Sequence, residues 1–215
     1  MASSSSLSST NVTKLHALFF AVESGNIRDT KRLLAMYGFQ SVLPLSSASG
    51  TTVLHKAALC KNSELMGLLL SFGTINIDAL EDRINGGYGA IHVCCQQNNA
   101  PCLQEIIRAG ANVNLKAGGK LGETPLHICC KLGYEDCARI LIQQGADTNA
   151  SDGFGHSPSF WAYSLRHMDM ILTLGLPPPR VASASEHMAV TGIVSLSVKK
   201  KKGGGKKGGA GKKKK

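Results

Sequence analysis

The sequence predicts an all-α repeat solenoid of about five helix-turn-helix units with hairpin-like loops, flanked by disordered termini. Three observations predict it. The block GETPLHICCKLGYEDCARILIQQGAD, residues 122–147, has relatives on both sides: GTTVLHKAALCKNSELMGLLLSFGTI at 50–75, GYGAIHVCCQQNNAPCLQEIIRAGAN at 87–112 and a decayed GHSPSFWAYSLRHMDMILTLG at 155–175. His55, His92, His127 and Phe160 fill one equivalent slot, so the period drifts slightly and the insertions fall in loops. The chain of 215 residues is 43% hydrophobic but only 5% aromatic, a balance that suits closely packed helices better than stacked sheets.

Each unit reads as two short helices. In the block at 122–147, Thr124 is a natural N-cap and Pro125 stands at the first helical position, where its missing N–H costs nothing. The inner helix runs to about Lys131 and stops at Gly133, a residue tolerant of the left-handed region. A second helix, near Glu135 to Gln143, carries Cys137, Ala138, Ile140, Leu141 and Ile142 before Gly145 ends it.

The segments follow in order. Residues 1–12 are too polar and simple to fold alone. The repeat domain is placed at 13–179, with units at 13–48, 49–85, 86–118, 119–151 and 152–179. Its first unit has a longer first helix before Gly25, and its last has a shortened second helix. Pro177, Pro178 and Pro179 stop the array. Residues 180–198 form a small-residue linker, in which GIVSLSV (192–198) has strand propensity without an evident partner. Residues 199–215 are a Lys/Gly-rich basic tail.

Glycine, a spacer, Thr-Pro-Leu-His, two small residues, glycine, a Leu-rich second helix and Gly-Ala-Asp is a pattern that resembles the ankyrin repeat, nearly complete in 122–147. It is good in 50–73 and 87–114, where Thr52-Val-Leu-His55 and Gly89-Ala-Ile-His92 replace Thr-Pro-Leu-His. The first and last units depart from it, as terminal caps must when one face meets water.

The alignment explains the cysteines. Cys94-Cys95 and Cys129-Cys130 occupy the paired small-residue slots of Ala57-Ala58, and Cys102 and Cys137 occupy an apolar slot of the second helix. Zinc needs convergent ligands, whereas adjacent cysteines on a helix diverge by about 100° and no Cys-x-x-Cys bracket is present. No metal or other cofactor is expected. Cys60 is different, lying at a slot that ankyrin repeats usually expose, with only Lys61 as a basic neighbour. The resemblance implies that His55, His92 and His127 tie the hairpin loop to the helix through hydrogen bonds. Trp161 follows the histidine slot, like Val93 and Ile128, and is read as core. No nucleophile–base pair, isolated carboxylate pair or phosphate loop stands outside the repeat pattern, so neither enzymatic activity nor a small-molecule substrate is expected.

The resemblance implies binding of a protein partner through hairpin tips and the exposed side of the inner helices. Position by position, the residues before the Thr-Pro-Leu-His slot are Thr51, Tyr88, Glu123 and His156. Those after the small pair are Leu59 and Cys60, Gln96 and Gln97, Lys131 and Leu132, then Ser164 and Leu165. A repeated row of exposed leucines along one concave face points to a partner surface, and Tyr88 adds an aromatic anchor. Long loops at 74–89 and 111–123 either enlarge that surface or are neutral insertions.

The net charge of +10 belongs to the tail. Lys199, Lys200, Lys201, Lys202, Lys206, Lys207, Lys212, Lys213, Lys214 and Lys215 are ten of the 24 Lys+Arg, and the other 14 balance the 14 Asp+Glu. Lysines without arginine or aromatics hold a polyanion in a salt-sensitive, sequence-blind manner, which suits tubulin tails, RNA, DNA or acidic lipid. Such a tail equally serves as a solubilising segment or an import signal.

The expected function is therefore a non-catalytic adaptor whose tail tethers it to an acidic structure. One alternative is a nuclear or nucleic-acid-associated protein bound mainly through the tail. Another is a structural subunit of a large assembly such as a microtubule array. MASSSSLSST lacks a signal peptide's basic start, no apolar run reaches membrane-spanning length, and the cysteines fit no secreted framework. An intracellular, cytoplasmic location follows, with cytoskeletal or nuclear association open.

Overall fold

A computed structural model describes residues 9–42, 46–73, 75–82, 84 and 86–177. The linker at 180–198 and the ten tail lysines lie outside the described residues. The described chain is all-α apart from isolated bridges, Ser46 with Thr52 and Leu80 with Gly89, that close two hairpin loops.

The helices come in pairs: α1 (Ser9–Glu23) with α2 (Ile27–Tyr37) and the short α3 (Phe39–Val42), α4 (Val53–Leu59) with α5 (Ser63–Leu70), α6 (Ala90–Gln96) with α7 (Ala100–Arg108), α8 (Pro125–Leu132) with α9 (Glu135–Gln143), and α10 (Pro158–Ser164) with α11 (Met168–Leu174). The first helices stack as an inner row, α1 on α4, α6, α8 and α10, while α5, α7, α9 and α11 form an outer row. The second helix of the 122–147 block spans Glu135–Gln143, as its apolar spacing predicts. At the front end α1 begins at Ser9, inside the stretch 1–12 read as outside the fold, because Ser9 to Val12 add a turn to a helix already anchored by buried Leu15 and Leu18.

The turn between paired helices is built alike in each unit. Gly25, Lys61, Asn98, Gly133 and Arg166 all take positive φ, between 50° and 73°. Glycine and asparagine adopt that region readily, lysine and arginine at a cost. Asn26, Asn62 and Asn99 follow, and their side-chain oxygens cap the second helix by accepting from the N–H of Asp29, Leu65 and Cys102.

The core is one continuous seam. Cys94, Cys95, Cys102, Cys129, Cys130 and Cys137 are each fully buried within it beside Leu54, Ile91, Leu103, Leu126 and Leu141. They act as small hydrophobes, and burial pushes the Cys130 thiol up to about 12.

Three histidines stitch the units together. His55 Nδ1 accepts from the Thr52 N–H at 3.1 Å, and its Nε2–H donates to the Tyr88 carbonyl at 3.0 Å, thirty-three residues on. His127 repeats this with Thr124 and the His156 carbonyl. His92 Nδ1 accepts from the Gly89 N–H while Nε2–H donates to the carbonyls of Leu115 and Glu123. Only the neutral imidazole can accept at one nitrogen and donate at the other. Burial accordingly lowers all three, His92 to about 4. Phe160 takes the same slot in the last described unit, where its ring stacks on His156 at 4.0 Å, nearly parallel.

Candidate protein-binding surface

The C-terminal turns of the inner helices carry the side chains that sequence spacing selects. Leu59, Leu132 and Leu165 are 47%, 46% and 48% exposed, each one or two residues past a buried pair at 57–58, 129–130 or 162–163. Burial of that pair fixes the direction of the next residue, since neighbours on a helix diverge by about 100°. Gln96, Gln97 and Cys60 are half-buried beside this row, and Ser164 is exposed. The Cys60 thiol donates to the Glu23 carbonyl at 3.5 Å, and burial, then the Glu23 charge, raises its pKa above the ordinary value. That leaves little thiolate at neutral pH.

The finger positions divide differently. Thr51 is buried, and its hydroxyl donates to Glu81 Oε1 at 2.9 Å in the next finger. Glu123 is 2% exposed; one carboxylate oxygen meets Lys131 Nζ at 2.7 Å and the other accepts from the Tyr88 hydroxyl at 3.2 Å. These two residues, expected at the contact surface, therefore face the neighbouring fingers instead. The physical reason is that a finger lies against the next one, so a polar side chain at its base finds a partner inside the protein. Tyr88 is half-buried, and burial, then the Glu123 charge, pushes its phenol up to about 12.

Trp161, read as core, is half-buried instead. Val93 and Ile128 occupy the same slot and are buried because another helix follows each of them. Among the described residues no further helix follows to cover Trp161. Its indole N–H donates to Asp152 Oδ2 at 2.9 Å, and Lys131 Nζ stands 4.8 Å over its ring. Burial alone would raise the Asp152 carboxyl, but hydrogen bonds from Trp161 and from the backbone N–H of His156 and Phe154 outweigh it and lower the pKa. The result is one connected ridge, Tyr88–Glu123–Lys131–Trp161–Asp152, crossing the last three fingers. Phe154, 63% exposed at a finger tip, lies beyond it and was not singled out by the repeat pattern, since the tip has no fixed residue type.

Glu123 and Asp152 of this ridge are buried, so Tyr88, Lys131 and Trp161 are the members that reach its surface. Among the described residues no group of three or more His, Cys, Asp or Glu side chains is arranged to hold a metal ion, and no helix is long and apolar enough to cross a membrane.

Comparison with known proteins adds two findings. Residues 91–176 match the family described as ankyrin repeats (3 copies). Over 82 residues the chain is 38% identical to a probable serine/threonine-protein kinase of Dictyostelium discoideum, a match covering 36% of this chain and 9% of that protein. The chain thus spans under a tenth of the length of that curated relative.

Proposed function

We propose that the chain, whose residues 91–176 match the ankyrin-repeat family, is a non-catalytic, intracellular adaptor binding a protein partner on its concave face. The observation that carries this reading is the row of Leu59, Leu132 and Leu165, each about half exposed at the C-terminal end of inner helices α4, α8 and α10, with Gln96 and Gln97 at that end of the intervening α6. Exposed singly such leucines need no explanation; repeated along one face they form a contact stripe. Lys131 and Trp161 beside them supply a cation and a broad aromatic surface of the kind enriched at interfaces. The tail's ten lysines add a second, salt-sensitive attachment to an acidic polymer such as tubulin tails, RNA or DNA.

The charge of the tail favours one competing reading, a nuclear or nucleic-acid-associated protein held mainly by those lysines. Proximity labelling followed by pull-down at low and high salt, with the full chain and with residues 199–215 removed, separates the two. An adaptor keeps its main protein partner without the tail and in high salt. Loss of that partner on truncation would sink the adaptor reading in favour of the tail.

A further inference from the structure

Charge is unevenly spread along the stack. Residues 9–42, the front unit, carry four Lys or Arg (Lys14, Arg28, Lys31 and Arg32) against two acids, Glu23 and Asp29. The described residues from 46 to 177 carry eight Lys or Arg against eleven Asp or Glu. Of the chain's 14 acids only Glu186 lies outside the described residues, so they hold at most one further carboxylate to set against the front unit.

Three of these cations share one face of α2. Arg28, Lys31 and Arg32 are exposed and fall within about 100° of one another around the helix axis. The opposite face is spent on the core: Thr30 and Leu34 are buried, and Ile27, Leu33 and Tyr37 pack against the seam. Lys14 Nζ stands 5.7 Å from the centre of the Tyr37 ring and adds a cation at the far end of α2, about 14 Å along the axis from Arg28. The other outer helices are built differently. Helices α5 and α11 carry no Lys or Arg, Arg108 of α7 pairs with Glu105, and Arg139 of α9 pairs with Glu135 and Asp136. On α2 the single acid, Asp29, accepts from the Asn26 side-chain amide at 2.6 Å. Among the described residues, Arg28, Lys31 and Arg32 form no ion pair.

We infer that this face of α2 binds the phosphate backbone of a nucleic acid. A guanidinium presents a planar fork that meets two phosphate oxygens at once. Arg28 and Arg32 stand about one turn apart, about 6 Å, on the outer row of the stack, with Lys31 beside them. A lipid surface suits this helix less, because a helix lying on a membrane buries its apolar face there, and that face of α2 is already committed to the core. A protein held by apolar contact finds, among the large apolar residues of α2, only Met36 well exposed, at 59%. The contact is sequence-blind, since it reaches phosphates and not base edges. It uses neither the leucine row nor the tail, so its failure would leave the adaptor reading standing.

Fluorescence anisotropy with a short labelled RNA strand and a short labelled DNA duplex tests this in the full chain, over a series of salt concentrations. The variant Arg28→Gln/Lys31→Gln/Arg32→Gln is compared with Lys61→Gln/Lys120→Gln/Arg166→Gln, which removes the same charge from exposed positions elsewhere. The α2 variant is expected to bind both probes about tenfold more weakly or worse. Its slope of log affinity against log salt shrinks by about 2.7 on the duplex and about 2.1 on the single strand, as loss of three phosphate contacts requires. The comparison variant keeps the wild-type slope, and far-UV circular dichroism is the same for all three proteins. Equal losses in the two variants would reduce the effect to net charge, and an unchanged slope in the α2 variant would leave α2 without a contact. Either result overturns the inference, as does a wild-type chain that binds neither probe. A loss confined to phosphatidylserine vesicles or to poly-glutamate, with both nucleic acids bound as before, would overturn it in favour of those partners.

Discussion

Acid should loosen this stack through its histidines, and His92 gives the magnitude. Its Nδ1 accepts the Gly89 N–H and its Nε2–H reaches the Leu115 and Glu123 carbonyls at 3.0 and 3.2 Å, so protonating Nδ1 sets an N–H against an N–H. Burial lowers its pKa from 6.5 to about 4. A histidine held neutral in the fold binds protons preferentially when unfolded. The stabilisation is therefore complete above the unfolded pKa and drains away as pH falls toward the folded one. Going from about pH 7.5 to about pH 5, this one group removes about 2 kcal/mol, out of a typical total of about 5–15 kcal/mol. Urea unfolding followed by circular dichroism at both pH values measures it, with His92→Gln as the comparison. The variant is less stable at neutral pH but loses about 2 kcal/mol less on acidification. His55 and His127, also lowered, contribute in the same direction to both proteins. Equal acid losses in wild type and variant would refute the reasoning.

Other perturbations follow from the same geometry. Lys61→Gly and Arg166→Gly relieve positive φ of 56° and 62° at the inter-helix turn, and each should raise stability by about 0.5–1 kcal/mol in urea melts. Gly153→Ala places a Cβ 2.1 Å from the Lys120 carbonyl oxygen and should destabilise by about 2 kcal/mol or more. Gly155→Ala meets only its own φ and should cost about 1 kcal/mol, with thermal melts giving the comparison. Lys131→Met leaves the buried Glu123 carboxylate with only the Tyr88 hydroxyl and should cost about 2 kcal/mol, most of it recovered in the Glu123→Gln/Lys131→Met double variant.

Periodicity and slot chemistry made much of this fold legible in advance. A cysteine in the position of Ala57 or Ala58 is a buried small residue, a histidine after Thr-Pro-Leu caps its own helix and reaches the next unit, and a leucine one or two residues past the buried pair turns outward. Those inferences need only one unit and its alignment. The residues misplaced are those whose surroundings come from other elements, most of them in a neighbouring unit. Thr51 and Glu123 look exposed on a single hairpin, yet Glu81, Lys131 and Tyr88 reach them from elsewhere. Trp161 shares its slot with two core residues, but among the described residues no further helix packs over it. End effects leave no mark on the repeat pattern, and the start of α1 at Ser9 is another example.

The central claim is that the leucine row is the contact surface. Once a partner has been captured, its affinity for the full chain should be compared with that for Leu132→Asp/Leu165→Asp, at constant salt, by titration calorimetry. Both side chains are about half exposed and project beyond the core, so the fold should tolerate the change. The account predicts at least a tenfold loss of affinity, about 1.4 kcal/mol, with unfolding curves unchanged. An unaltered affinity in a folded variant would contradict it.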